Sequence, residues 1–205
     1  MSTPSRQPQR AAHRRAAILE AARDRFASDG IGAVTMGDIA ATAGVSPGNL
    51  YYWFRQKSEV VRALFDEWSS SSRLPASASD SPESLLAFLW EREETQQRVS
   101  SRYEFFSRDL LPLLHSDPVL RELYRANYEA GLSTLRTLLA RVVDAGLLRD
   151  DADLDSLTRV GWMASEFGGS WVRLVDPHCD PARDARALMA LALTPKGRDY
   201  LENRS

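Results

Sequence analysis

Cysteine is nearly absent from these 205 residues, where Cys179 stands alone. One thiol closes no intramolecular disulfide, so the fold must hold by packing, and a reducing compartment, the cytoplasm, is expected. Histidine is scarce as well. His13, His115 and His178 lack metal-site spacing, and with one cysteine they compose no plausible catalytic triad. His178-Cys179-Asp180 is a cluster in composition only, because Pro177 and Pro181 bracket it as a loop. No glycine-rich phosphate loop occurs. No apolar run approaches the roughly 20 residues of a membrane-spanning helix. The opening MSTPSRQPQRAAHRRAA is basic but has no apolar segment of a secretory signal. Strand signals are few. These absences argue against an enzyme, a metalloprotein or a membrane protein: no catalytic residue, metal ligand or cofactor is expected.

Helix signals, by contrast, fill the chain. Ile18, Leu19, Ala22 and Phe26 recur at helical spacing and stop at Asp29-Gly30. Thr35-Met36-Gly37-Asp38 has the form of a capping box, and the short helix it opens breaks at Ala43-Gly44-Val45. Ser46-Pro47 restarts a helix, with Ser as N-cap and Pro where its missing N–H costs nothing. Another follows from about Ser58 with Val61, Leu64, Phe65 and Trp68 inward. The Ser/Ala/Pro-rich stretch 69–82 reads as a linker. Beyond it, helical stripes include 85–90, a piece from Tyr103 stopping near Pro112 and the Ser116-Asp117-Pro118 turn, 119–145 ended by Gly146, 154–174, and a last helix from about Ala182 that carries Pro195 near its end. Eight or nine helices and no sheet give an all-α expectation. The N-terminal helical unit is assigned to 1–68 and a larger helical bundle to 69–205.

Charge divides along the same line. The first 62 residues carry nine Lys/Arg against five Asp/Glu, and the remainder 17 against 23. A basic first third on an acidic body suggests that only the N-terminal part meets a polyanion. Met36–Ala43, a Gly44-Val45 turn and Pro47–Phe54 compose a helix-turn-helix, whose second helix can enter the major groove of DNA. Ser46, Gly48 and Asn49 keep the leading half of that helix small or hydrogen-bonding. Tyr51-Tyr52-Trp53-Phe54 then presents four rings in a row. On a helical wheel Leu50 and Phe54 share the core face, Tyr52 lies almost opposite, and Tyr51 and Trp53 fall on the flanks.

The segment ILEAARDRFASDGIGAVTMGDIAATAGVSPGNLYYWFRQKSEVVRALF, residues 18–65, resembles the N-terminal domain of the tetracycline-repressor (TetR) family almost end to end. The resemblance implies a homodimeric regulator, a DNA-binding domain joined to an all-helical ligand-binding and dimerisation domain. It places DNA contacts on Thr35, Ser46, Pro47, Gly48, Asn49, Tyr51, Tyr52, Trp53 and Lys57. Trp53 departs from the family pattern, standing where a His is common, and Gln56 stands where Ser or Thr usually caps the next helix. Residues 102–120 resemble the start of one C-terminal subtype of the same family.

Arg14 and Arg15, with Arg6, Arg10 and His13 before them, are expected to lie along phosphates. Asn49 suits an adenine edge or a phosphate, Lys57 a phosphate clamp, and Thr35 a hydroxyl or N–H offered at a helix start. A palindromic operator on double-stranded DNA is the expected partner. Stripes 154–174 and 182–193 are the candidate dimer interface, with Gly161, Gly168, Gly169 and Ser170 allowing close approach. An effector chamber is expected among the middle helices, lined by Trp90, Tyr103, Phe106, Tyr124, Tyr128, Met163 and Phe167. Asn127 and Glu166 are its candidate polar determinants, and the expected ligand is small and apolar or aromatic. An activator of the same fold, or a helical protein-interaction module without sequence-specific DNA binding, stays open as an alternative.

Overall fold

The computed structural model describes residues 6–71 and 81–204, with side chains at all of these except 6–9 and 93–101. Most of the linker stretch and the side chain of Arg6 lie outside the described residues. Among those described, ten α-helices follow one another: α1 Arg6–Asp29, α2 Met36–Thr42, α3 Pro47–Trp53, α4 Lys57–Ser71, α5 Pro82–Ser100, α6 Glu104–Ser116, α7 Pro118–Asp144, α8 Leu154–Leu174, α9 Pro181–Ala190 and α10 Pro195–Glu202. A 3₁₀ turn, Ser101–Tyr103, precedes α6, and the one isolated β-bridge joins Leu148 to Leu193. The fold is all-α.

Two boundaries differ from the sequence expectation, each for a local reason. Helix α1 begins at Arg6, a dozen residues before the apolar stripe. Ala11, Ala12, Ala16 and Ala17 are the strongest helix formers, and Pro8 falls in the first turn, where its N–H would have no partner. Helix α6 carries Pro112 inside it and ends at Ser116, at the expected turn, where the Ser116 hydroxyl donates to the Pro112 carbonyl. The last apolar segment is two helices rather than one. Helix α9 ends at Ala190, and Thr194 caps α10 through the Gly197 N–H with Pro195 at its first position.

The chain forms two compact units, one of residues 1–71 with 102–120, the other of 72–101 with 121–205. Chain order places α6 after the linker, yet it packs in the first unit. The reason is its apolar face: Phe105, Phe106 and Leu110 are fully buried, with Phe106 stacked on Trp68 and edge-on to Phe65, and Phe105 against Phe26. Burying each such ring contributes about 1.5–3 kcal/mol. Polar contacts set the register. Asp109 accepts the Ile31 N–H at 3.0 Å, Arg108 donates to the Phe26 carbonyl at 2.9 Å, and Arg62 holds Asp117 through two bonds of 2.9 and 2.8 Å. The second unit closes on Leu85, Leu86, Leu138, Val142, Leu147, Leu148, Ala192 and Leu193.

Candidate nucleic-acid interface

Two caps build the helix-turn-helix. Thr35 Oγ1 accepts the Asp38 N–H, while the Asp38 carboxylate accepts from both the N–H and the hydroxyl of Thr35. These bonds to Thr35 hold the Asp38 carboxyl below its usual range. Helix α2 ends in a Schellman motif: Val45 N–H reaches the Ala40 carbonyl, Gly44 N–H reaches Ala41, and Gly44 takes φ +64°, where a side chain would be strained. Ser46 then caps α3 by accepting the Asn49 N–H, with Pro47 at the first helical position. Within one turn the backbone leaves α2 and starts α3 in a new direction.

Anchoring of α3 follows the wheel. Leu50 and Phe54 are buried, whereas Tyr52 is 77 % and Tyr51 51 % exposed, and Ser46, Pro47 and Gly48 are open to solvent. Asn49 is half-buried. A seven-residue helix thus offers one continuous outer face of small groups, an amide and two phenols. Arg15 and Arg14 are exposed on α1, and the Arg15 guanidinium sits over the Phe54 ring at 5.5 Å, beside the end of α3.

Three expected contacts take other partners. The Lys57 ammonium donates to the carbonyls of Ile31, Val34 and Gly32 at 2.7, 2.8 and 3.3 Å and ties down the α1–α2 loop. The Trp53 ring packs edge-on to Tyr52 at 5.2 Å, and its Nε1 is buried without a partner. Thr35 spends its hydroxyl and N–H on Asp38. In each case a polar atom that looked available in the sequence meets a nearer partner or is covered.

The residues expected to line an effector chamber are divided between the units. Tyr103 and Phe106 belong to the first: Phe106 is in its aromatic core, and Tyr103 lies beneath the buried Arg23, which also pairs with Glu20 and Glu67. Burial in a core, not a chamber, explains their periodicity. The others are in the second unit. Trp90 lines a cavity of about 120 Å³ there, with Leu89, Leu135, Leu157, Trp162 and Met189 among its walls. Met163 is 54 % exposed on α8 and is not among the walls of that cavity. Asn127 and Phe167 are half-buried. Tyr124, Tyr128 and Glu166 are brought together by a residue the sequence reading did not single out, Trp162. Its Nε1 donates to the Tyr124 hydroxyl at 3.3 Å and its ring meets Tyr128 edge-on at 5.3 Å. Tyr124 in turn hydrogen-bonds Glu166, which is 6 % exposed. A signal existed: Gly131, isolated in the long α7, marks a close approach. A Cβ there would stand 2.5 Å from the Trp162 ring.

A helix-turn-helix with one exposed recognition face, carried on an all-helical chain, defines a class of DNA-binding protein. Comparison gives the family. A family model described as bacterial regulatory proteins, tetR family, matches residues 18–64, and one described as bacterial transcriptional repressor matches 69–190. The chain belongs to the TetR family of transcriptional regulators and is not an enzyme. Probable HTH-type transcriptional regulator ArpR of Pseudomonas putida is 41% identical over 71 residues, 35% of this chain and 34% of that protein. The match spans about a third of the length of this relative. The HTH-type transcriptional repressor KstR2 of Rhodococcus jostii (strain RHA1) is 29% identical over 174 residues, covering 77% of this chain and 82% of that one. A crystal structure of a TetR-family regulator from Marinobacter aquaeolei VT8 has TM-score 0.73 at 26% identity, over 93% of this chain and 96% of that one.

Proposed function

We propose that this regulator is a repressor that binds a palindromic operator as a homodimer in the cytoplasm and is released by a small effector held in its second unit. The outer face of α3 is the observation that carries the reading. Its short reach covers few base pairs, so two copies on half-sites about 34–36 Å apart, or a multiple of that, would supply the specificity. Dimerisation is supported by a stripe on α8: Val160, Met163, Trp171 and Leu174, spaced by three, eight and three residues, remain exposed, as do Leu188 and Leu191 near α9. Gly168 abuts Pro181 of the same chain, so its smallness serves the α8–α9 packing inside the subunit. Domains 1–68 and 69–205 divide the labour between reading and sensing. Effector binding would shift the population between two spacings of the reading heads, and operator affinity changes by that differential.

Asn49→Ala provides the test. Thermal stability should stay near wild type, because the backbone N–H and not the side chain engages the Ser46 cap. Affinity for the operator in a gel shift should fall by about tenfold per half-site, and so by about a hundredfold for the dimer. Unchanged affinity removes α3 as the reading helix.

A further inference from the structure

In the second unit, Trp162, Glu166 and Ser170 recur every fourth residue and so share one face of α8. Along that face the hydrogen bonds point one way. Trp162 Nε1 donates to the Tyr124 hydroxyl, and Tyr124 hydrogen-bonds the carboxylate, the acceptor at the end of the chain. Glu166 Oε1 is left buried with no partner, and so is Ser170 Oγ one turn further on. Among the described residues no lysine or arginine pairs with Glu166. An unpaired buried carboxylate oxygen is expensive to keep: the Tyr124 bond favours its ionised form, desolvation opposes it more strongly, and a positive partner at Oε1 would offset that cost.

Tyr124, the partner of this carboxylate, belongs to an aromatic group. Tyr124, Tyr128 and Trp162 offer ring faces or edges, and Trp162 also borders the apolar cavity of about 120 Å³. Ring faces and a carboxylate together attract positive charge, and a dry setting strengthens both attractions. A neutral apolar ligand would fill the cavity and leave Oε1 unsatisfied. Arg92 and Arg186 also border the cavity, which raises the opposite possibility of an anion, but each already has an interaction partner, and both are half-exposed to water. The buried, unpartnered group outweighs the solvated ones.

We infer that the effector is an organic cation, its ammonium-like head on Glu166 Oε1 among Tyr124, Tyr128 and Trp162, and its apolar body in the cavity that Trp162 borders. The inference rests on the reading that the second unit senses a small molecule.

Three probes test it by calorimetry on the full chain: phenyltrimethylammonium, its neutral isostere tert-butylbenzene, and the anion 4-phenylbutyrate. The cation should bind wild type more tightly than the other two. Glu166→Gln, which keeps shape and hydrogen bonding, should weaken the cation by about tenfold or more and leave the isostere unchanged. Tyr124→Phe should weaken it in the same direction, so the inference does not hang on one variant's folding. Equal binding of cation and isostere, preference for the anion, or indifference of the cation to Glu166→Gln overturns it. A parallel gel shift separates the two layers. Operator release by the neutral or anionic probe alone leaves sensing standing and the cation assignment rejected. Cation binding that depends on Glu166 but leaves operator affinity unchanged supports the site and rejects its coupling to DNA.

Discussion

Glu166 is the residue at which burial and ionisation conflict most. Desolvation pushes its carboxyl up to about 7, with the Tyr124 bond pulling the other way. Because the folded value lies above the unfolded one, the native state holds the extra proton between the two. Stability contributed in this way is complete below pH about 4.5 and is lost as pH rises through about 7. The full loss is about 3 kcal/mol. Urea unfolding of wild type should therefore show a stability decline between pH 5 and 8 that Glu166→Gln abolishes. Identical pH profiles for the two proteins would remove Glu166 as the source. The carboxylates held below their usual range, Asp117 by Arg62 and Asp38 by Thr35, act in the opposite sense. Their contribution is lost only as pH falls below about 4, so the two effects occupy separate windows.

Among the elements, the junction of α6 and α7 carries the densest polar contacts. Asp117 caps α7 through the N–H groups of Val119 and Leu120 and at the same time takes the bidentate pair from Arg62 of α4. Asp117→Ala strips both, leaving a guanidinium and two helix-start donors unpaired. A loss of about 3 kcal/mol is expected, and Asp117→Asn, which keeps an oxygen for the cap, should lose less. Urea midpoints compare the two; equal losses would mean that the charge pair contributes nothing beyond the cap. This junction also shows where sequence reasoning stopped. The α2 and α3 caps, the Gly44 turn and the inward pair Leu50 and Phe54 depend on neighbours within a few residues, and all were legible. Which helix buries Phe105 and Phe106 depends on partners some 40 to 80 positions away, such as Trp68 and Phe26. A helical stripe announces that a face is buried, never against what. For the same reason the bonds from Lys57 to the loop carbonyls of Ile31, Gly32 and Val34 were not legible in the sequence. Glu166 was legible as a polar residue among apolar ones, whereas its Trp162 and Tyr124 partners required the packing of α7 on α8.

Over the whole molecule, the balance of −2 separates into a basic first third and an acidic remainder. Repulsion between the acidic part and a phosphate backbone would weaken non-specific attraction there, whereas Arg14 and Arg15 stand exposed on α1, Arg15 beside the end of α3. Affinity should then have two separable components. Phosphate contacts release counterions and depend on salt but not on sequence, whereas the α3 face depends on sequence and little on salt. Arg14→Ala tests the first component. In a dimer each half-site loses one contact, so the slope of log affinity against log salt should become shallower by about two. Operator and unrelated DNA should lose affinity by the same factor, so their ratio stays constant. Asn49→Ala should do the reverse, lowering the ratio and sparing the slope. If Arg14→Ala lowers the ratio while the slope is unchanged, α1 reads bases in a groove, and the division between a steering arm and a reading helix fails.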